Sequence, residues 1–221
     1  MHIPDGFLDP FWIAVTYAAA IAYALAAWRR IRGRLGPEQV VSMSVLAAGI
    51  FVAQMLNWPL PGGTSLHFVG GALAGILFGP WLGFYVMALV LAVQTLVFHD
   101  GGITALGANI LNMAVVDVVV GYAVYRAVAG ALGGSRRARL LGAFLGGWLG
   151  IVAAGIAAGV EIGLSPSFPY GVEVSVPVMA TWHAILGVIE GVITALVVDY
   201  LYQRRSPIVE AAEKVAMKAT V

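Results

Sequence analysis

The chain has 221 residues, 61% of them hydrophobic and only 10% charged, with a formal net charge of +1. A soluble domain carries about 25% charged residues, so this composition predicts an integral membrane protein and gives no electrostatic footprint for nucleic acid. Cysteine is absent, which excludes disulfides, thiolate sites and iron–sulfur clusters and leaves nitrogen and oxygen to hold any metal.

The chain opens Met1-His2-Ile3-Pro4-Asp5-Gly6. A free N-terminus followed by histidine is a chelate. The α-amine of Met1, the backbone nitrogen of His2 and Nδ1 of its ring can bind one metal in one plane, through unstrained five- and six-membered rings. A fourth nitrogen completes a square, the geometry of Ni(II) or Cu(II). Residues 1–9 are therefore a predicted metal-binding tip, and the rest of a single membrane domain, 1–221, is its scaffold. No basic residue precedes the apolar run 11–28, and Arg29, Arg30, Arg32 and Arg34 follow it. That charge order is the reverse of a signal peptide. It predicts a retained helix with its N-terminus outside and Met1 keeping a free amine.

Helix 1 is predicted over Pro10–Trp28, with a small-residue ridge at Ala14, Ala18, Ala22 and Ala26 that lets another helix come close. Gly36-Pro37 stops any continuation. Helix 2 spans Val40–Leu56, and Asn57 to Ser65 is turn chemistry throughout. The apolar block Leu66–Phe98 would be about 50 Å long as one helix, against a hydrocarbon core of about 30 Å. Gly79-Pro80 splits it into a short helix 3 (67–78) and helix 4 (81–98). Gly71, Gly75 and Gly79 give helix 3 a thin face for burial. Helix 5 covers Ile103–Tyr125. Helix 6 covers Leu140–Val160, with a second ridge at Gly142, Gly146, Gly150, Ala154 and Ala158. A polar loop, 161–179, carries Pro166, Pro169 and Pro177. Helix 7 covers Met179–Tyr202, and 206–221 forms a cytoplasmic tail.

The predicted fold is an all-α membrane protein of seven transmembrane helices, N-terminus outside and C-terminus cytoplasmic. This topology places all 12 Lys and Arg residues on the cytoplasmic side, as the positive-inside bias requires; one span over 66–98 would divide them. It also brings the tip, the 57–65 loop, His67, the His99 loop and the 161–179 loop to the outer face. His67 and His99 both qualify there as the fourth nitrogen, and the residues alone leave the choice open. His183, beside Trp182, reads as an interhelical hydrogen-bonding residue. Asn57, Gln94 and Asn109 lie near outer helix ends and are candidates to orient the tip and the ligand rings, or to hydrogen-bond between helices. Asp117 and Glu190 fall near mid-membrane, where carboxylates are expensive and often functional.

Met1 to Leu8, Pro61-Gly62-Gly63-Thr64-Ser65 with His67, and Asp100 to Asn109 with Asn112-Met113 resemble the CbiM/NikM family, along most of the chain. Those proteins are substrate-binding membrane subunits of energy-coupling-factor importers for nickel or cobalt in prokaryotic cell membranes. The resemblance implies a metal held by the Met1 amine, the His2 backbone nitrogen and imidazole, and His67. It implies a six-helix substrate-binding core plus one extra N-terminal helix, with Ni(II) or Co(II) as transported substrate. It also implies a membrane coupling subunit, separate ATPase subunits and a small accessory membrane subunit as partners.

Four nitrogens close the square and leave no position for an activated water, so the site reads as a carrier and not a hydrolytic one. The only two lysines, Lys214 and Lys218, lie in the tail, so a P-loop cannot be built and ATP hydrolysis falls to other chains. The competing readings are a cobalt uptake subunit serving cobalamin synthesis, a vitamin-binding subunit, and an intramembrane metalloenzyme. The last wants a carboxylate ligand or an H-E-x-x-H helix, and neither motif occurs.

Overall fold

The computed structural model describes residues 1–33 and 35–210. Arg34 and residues 211–221 lie outside the described set, and with them Lys214, Lys218 and most of the predicted tail. The chain folds as α1 (Pro10–Ile31), α2 (Pro37–Gln54), a ribbon of β1 (Asn57–Pro59) and β2 (Ser65–His67), α3 (Gly71–Phe98), α4 (Leu106–Asn109), a π-helical stretch (Ile110–Val116), α5 (Asp117–Ala131), α6 (Arg136–Gly163) and α7 (Val172–Gln203). Among the described residues, five helical segments are long and apolar enough to cross a membrane: Pro10–Ile31, Gly71–Phe98, Leu106–Ala131, Arg136–Gly163 and Val172–Gln203.

Local chemistry sets the helix ends. The Asp9 carboxylate accepts from Phe11 N and Trp12 N, and Pro10 fills the first helical position of α1, where its missing N–H costs nothing. Ser135 caps α6 through Ala138 N. Gly79 sits inside α3 at φ 74, ψ 172, a conformation that suits only glycine, and Pro80 follows. A Cβ on Gly83 would lie 2.9 Å from Gly75 N and 3.0 Å from Ala74 C. On a straight helix residues 75 and 83 are about 12 Å apart, so α3 folds back on itself at Gly79-Pro80. The first arm is the buried centre of the bundle. Gly71 packs against Met113 O and Gly75 against Val118 O, the close approach its glycines permit.

Several boundaries differ from the sequence reading; α1 runs to Ile31 instead of Trp28, and α2 covers Pro37–Gln54 instead of Val40–Leu56. Asn57 to Ser65 is not all turn: Asn57 pairs with His67, Trp58 with Leu66 and Pro59 with Ser65 in an antiparallel ribbon. His67 therefore ends a strand, and helix begins only at Gly71, after Gly70 at φ 76. The fifth predicted helix runs over 106–131 instead of 103–125, and its π turn carries a bond from Asp117 N to Asn112 O. Residues five apart sit about 140° apart on a regular helix; the wide turn returns Asn112 and Asp117 to one face, and both are buried. Helix 6 covers 136–163 instead of 140–160. Finally, α7 starts at Val172, not Met179. Pro177 sits inside it at an exposed position, where it removes one intrahelical bond without ending the helix.

The glycine ridge of α6 is spent inside the bundle. Gly142 meets Tyr125, Gly146 meets Gly121, and Gly150 meets Asp117. The alanine ridge of α1 is different: Ala14, Ala18, Ala22 and Ala26 are all exposed.

Candidate metal centre

The first three residues are threaded into the bundle, with Met1 and Ile3 fully buried and His2 nearly so. Asn109 reads Ile3 on both sides: Oδ1 accepts from Ile3 N at 2.8 Å and Nδ2 donates to Ile3 O at 3.1 Å. Gly102 N donates to the same carbonyl at 2.9 Å. The chain turns at Gly6 (φ 88), and the Asp5 carboxylate accepts from Ile103 N, Thr104 N and the Thr104 hydroxyl. Asp9 N donates to Ser165 Oγ at 2.9 Å. Glycine at 102 is what lets the tip in, because a Cβ there would run into Asp5 N and come within 2.7 Å of Pro4 C.

Strand β2 supplies the opposite wall. Side chains alternate along a strand, so Ser65 and His67 share one face while Leu66 points away. Ser65 Oγ accepts from the Met1 amine at 2.7 Å and from His2 N at 3.1 Å. The His67 ring stacks on the His2 ring, centroids 4.4 Å apart and planes 19° from parallel. Each ring has one nitrogen fixed. His67 Nδ1 donates to Phe68 O at 2.7 Å, and His2 Nε2 donates to Gln94 Oε1 at 3.2 Å. That leaves His67 Nε2 and His2 Nδ1 as bare lone pairs, buried and without a hydrogen-bond partner among the described residues. The bare His2 Nδ1 faces Asp100 Oδ1 at 3.4 Å, and the same oxygen accepts from Asn57 Nδ2 at 3.2 Å.

Burial sets the protonation states. It pushes the Met1 amine well below 8.0, partly opposed by Asp100. It takes His2 from 6.5 down to about 3, helped by the charge of the amine and opposed by Gln94. It holds His67 well below 6.5, helped by the amine and by His2. Burial raises Asp100, against the pull of the amine and Asn57. Asp5 moves the other way, lowered by the Thr104 hydroxyl and by two backbone N–H groups. The His2–Asp100 contact is therefore not an ion pair. It sets a neutral imidazole lone pair against a carboxylate, and a cation beside them is the complement that this pairing lacks. Neutral amine and neutral imidazoles are also the forms that bind metal.

Asp117 and Glu190 find backbone partners, not cations. Glu190 accepts from Val69 N at 2.9 Å and Gly70 N at 2.8 Å, and Asp117 accepts from Gly71 N at 2.9 Å. Gln54 Nε2 donates to Val69 O at 2.6 Å. The turn that carries His67 is thus gripped from α2, α5 and α7. His99 lies apart from this cluster, exposed at the end of α3 with φ 56. Sequence reasoning missed Ser65, whose contacts arise from residues 64 positions away. It misplaced His183, which bonds within its own helix: Nδ1 donates to Met179 O at 2.6 Å.

Comparison with known proteins follows the same line. Residues 2–208 match the sequence profile of CbiM, described as the cobalt uptake substrate-specific transmembrane region. The chain is 54% identical over 211 residues to a putative fused nickel transport protein, NikMN, of Archaeoglobus fulgidus, covering 95% of this chain and 68% of the relative. It is 46% identical to a putative metal transport protein of Haloquadratum walsbyi, covering 95% and 93%. A crystal structure of a truncated transition metal transporter superposes with a TM-score of 0.87 at 38% identity, covering 92% of this chain and 99% of that one.

Proposed function

The chain belongs to the CbiM family, and from that premise we propose that it is the substrate-binding membrane component of an importer for Ni(II), capturing the ion at the outer face. The Met1 amine, His2 N, His2 Nδ1 and His67 Nε2 are the four donors. The observation that carries this reading is the pair of buried, unpartnered imidazole nitrogens on stacked rings, beside an amine whose burial favours its neutral form. Gln94 and Asn109 hold the His2 ring and the tip from behind, and Asn57 acts through Asp100. Asp117 and Glu190 hold the turn of His67 in place. Binding through His2 N releases its amide proton, so uptake by the site weakens with acidity.

The scaffold crosses the membrane seven times, with the tip outside and the tail 206–221 in the cytoplasm. The folded-back α3 counts as two crossings and α2 as one. The protein resides in a prokaryotic plasma membrane as one domain, 1–221. ATP is hydrolysed by separate ATPase subunits, coupled through a membrane subunit and a small accessory subunit. The exposed alanine ridge on α1 is the surface offered to such a membrane partner. Cobalt, serving cobalamin synthesis, is the second reading, favoured by the family description. Blocking the Met1 amine by acetylation, or adding one residue before it, tests the claw. Stoichiometric Ni(II) binding, with the yellow diamagnetic signature of a nitrogen square, is expected to vanish. Unchanged binding overturns the proposal.

A further inference from the structure

His183 repeats the wiring of His67. In both rings Nδ1 donates to a nearby carbonyl, Phe68 O for one and Met179 O for the other. In both, Nε2 is left buried and without a hydrogen-bond partner among the described residues. A metal-binding histidine is typically fixed in this way, one ring nitrogen anchored on a carbonyl so that the other presents a lone pair. A buried polar nitrogen left without a partner is costly, so two in one small region call for a shared ligand.

Position supports the parallel. Strand β2 packs against α7. Thr64 Oγ1 lies 3.8 Å from Met179 Sδ, one turn before His183, and Ser65, the next residue, holds the Met1 amine. The ring is pressed on Gly155 of α6, where a Cβ would fall 2.7 Å from its Cγ. The imidazole of His183 lies within electrostatic reach of both the Met1 amine and His67.

We propose that Nε2 of His183 is a fifth nitrogen donor of the site, engaged by a divalent cation that accepts five ligands and passed over by one that keeps to four. The inference rests on the N-terminal claw. With four corners of a square filled, a fifth donor approaches only from above or below the plane. Low-spin d8 Ni(II) holds its electron pair there and keeps the square. Co(II), d7, has a half-filled orbital in that direction and takes the fifth nitrogen. His183 then sets how well the site holds cobalt relative to nickel.

The test uses the full chain in detergent with His183→Asn, which retains an N–H donor for Met179 O but loses Nε2, and with His183→Phe, which fills the space without a donor. Metal-free thermal unfolding reports whether each variant folds. The expected result is an about tenfold loss of Co(II) affinity, the low end of what removal of a supporting group costs a metal site, with Ni(II) affinity held. Anaerobic electron paramagnetic resonance of the Co(II)-loaded wild type should show three-line splitting from one axial nitrogen, absent in both variants. Equal losses for both metals, or spectra unchanged by either substitution, overturn the proposal. N-terminally acetylated wild type is the separate control: if it still binds either metal, the claw itself has failed and not the fifth donor.

Discussion

Gln94 accepts the Nε2 proton of His2 at 3.2 Å, and by doing so fixes which nitrogen of that ring is bare. The amide oxygen lies on α3, fully buried, so the choice of tautomer is built into the bundle and not left to solvent. Replacing Gln94 with leucine keeps the volume and removes the acceptor. The His2 ring then loses both its orientation and its preferred tautomer. Ni(II) affinity is expected to fall about 10- to 100-fold, as when other groups behind a metal ligand are lost. Competition titration against a chelator measures it; an unchanged constant removes Gln94 from the site.

Ser65→Ala should act in the opposite direction. The hydroxyl accepts from the Met1 amine and from His2 N, and the second contact uses the amide hydrogen that the proposed metal binding would expel. It therefore belongs to the metal-free tip. Removing it raises the metal-free state by about 0.5–1.5 kcal/mol and leaves the loaded state with its ligands. A few-fold gain in Ni(II) affinity is expected by calorimetry, and a large loss would place Ser65 among the groups that hold the ion.

Docking of the tip should depend on pH with a definite sign. Seated, the Met1 amine and His2 are held below their usual 8.0 and 6.5, His2 at about 3. Unseated, they regain those values. As pH falls below 8.0 and then 6.5, the free tip takes up protons that the seated one refuses, so docking weakens steadily toward about pH 3. Asp5, depressed from 3.8, contributes fully above about pH 3.8 and loses its contribution as pH falls below that. Hydrogen exchange at Ile3 N, which donates to Asn109, reads the equilibrium once intrinsic rates are corrected. Equal protection at pH 8 and pH 5 contradicts it.

Glu190→Ala strips partners from Val69 N and Gly70 N inside the bundle. The two orphaned donors and the lost charge-assisted bonds should cost about 3 kcal/mol or more. Glu190→Gln keeps one acceptor oxygen and should cost less. Thermal unfolding of the metal-free protein in detergent ranks the three; a glutamine variant as damaged as the alanine one would show that charge, and not the hydrogen bond, holds the turn.

What the sequence made readable was whatever depends on neighbours along the chain. The apolar runs marked the long helices, and Gly79-Pro80 announced the reversal in α3 because proline and a positive-φ glycine disrupt any helix. Met1-His2 offered three nitrogen donors within two residues, and the structure buries both residues. The ribbon 57–67 was hidden, because three-residue strands with prolines carry turn composition. Pro177 disguised the start of α7. Ser65 and the grip of Glu190 on residues 69 and 70 were invisible for a different reason. Their partners lie 64 and about 120 positions away, and nothing local in an alternating or helical pattern encodes such a meeting.

Ile3 meets Asn109 across 106 positions and Asp9 meets Ser165 across 156. Contacts of such separation form late, after the costly loops between them are closed. Chains leave the ribosome N-terminus first, so the opening residues are made before any wall that will receive them. They wait unanchored until Asn109 has been synthesised, and Asp9, at the foot of the tip, gains its Ser165 partner only once the loop ahead of α7 is made.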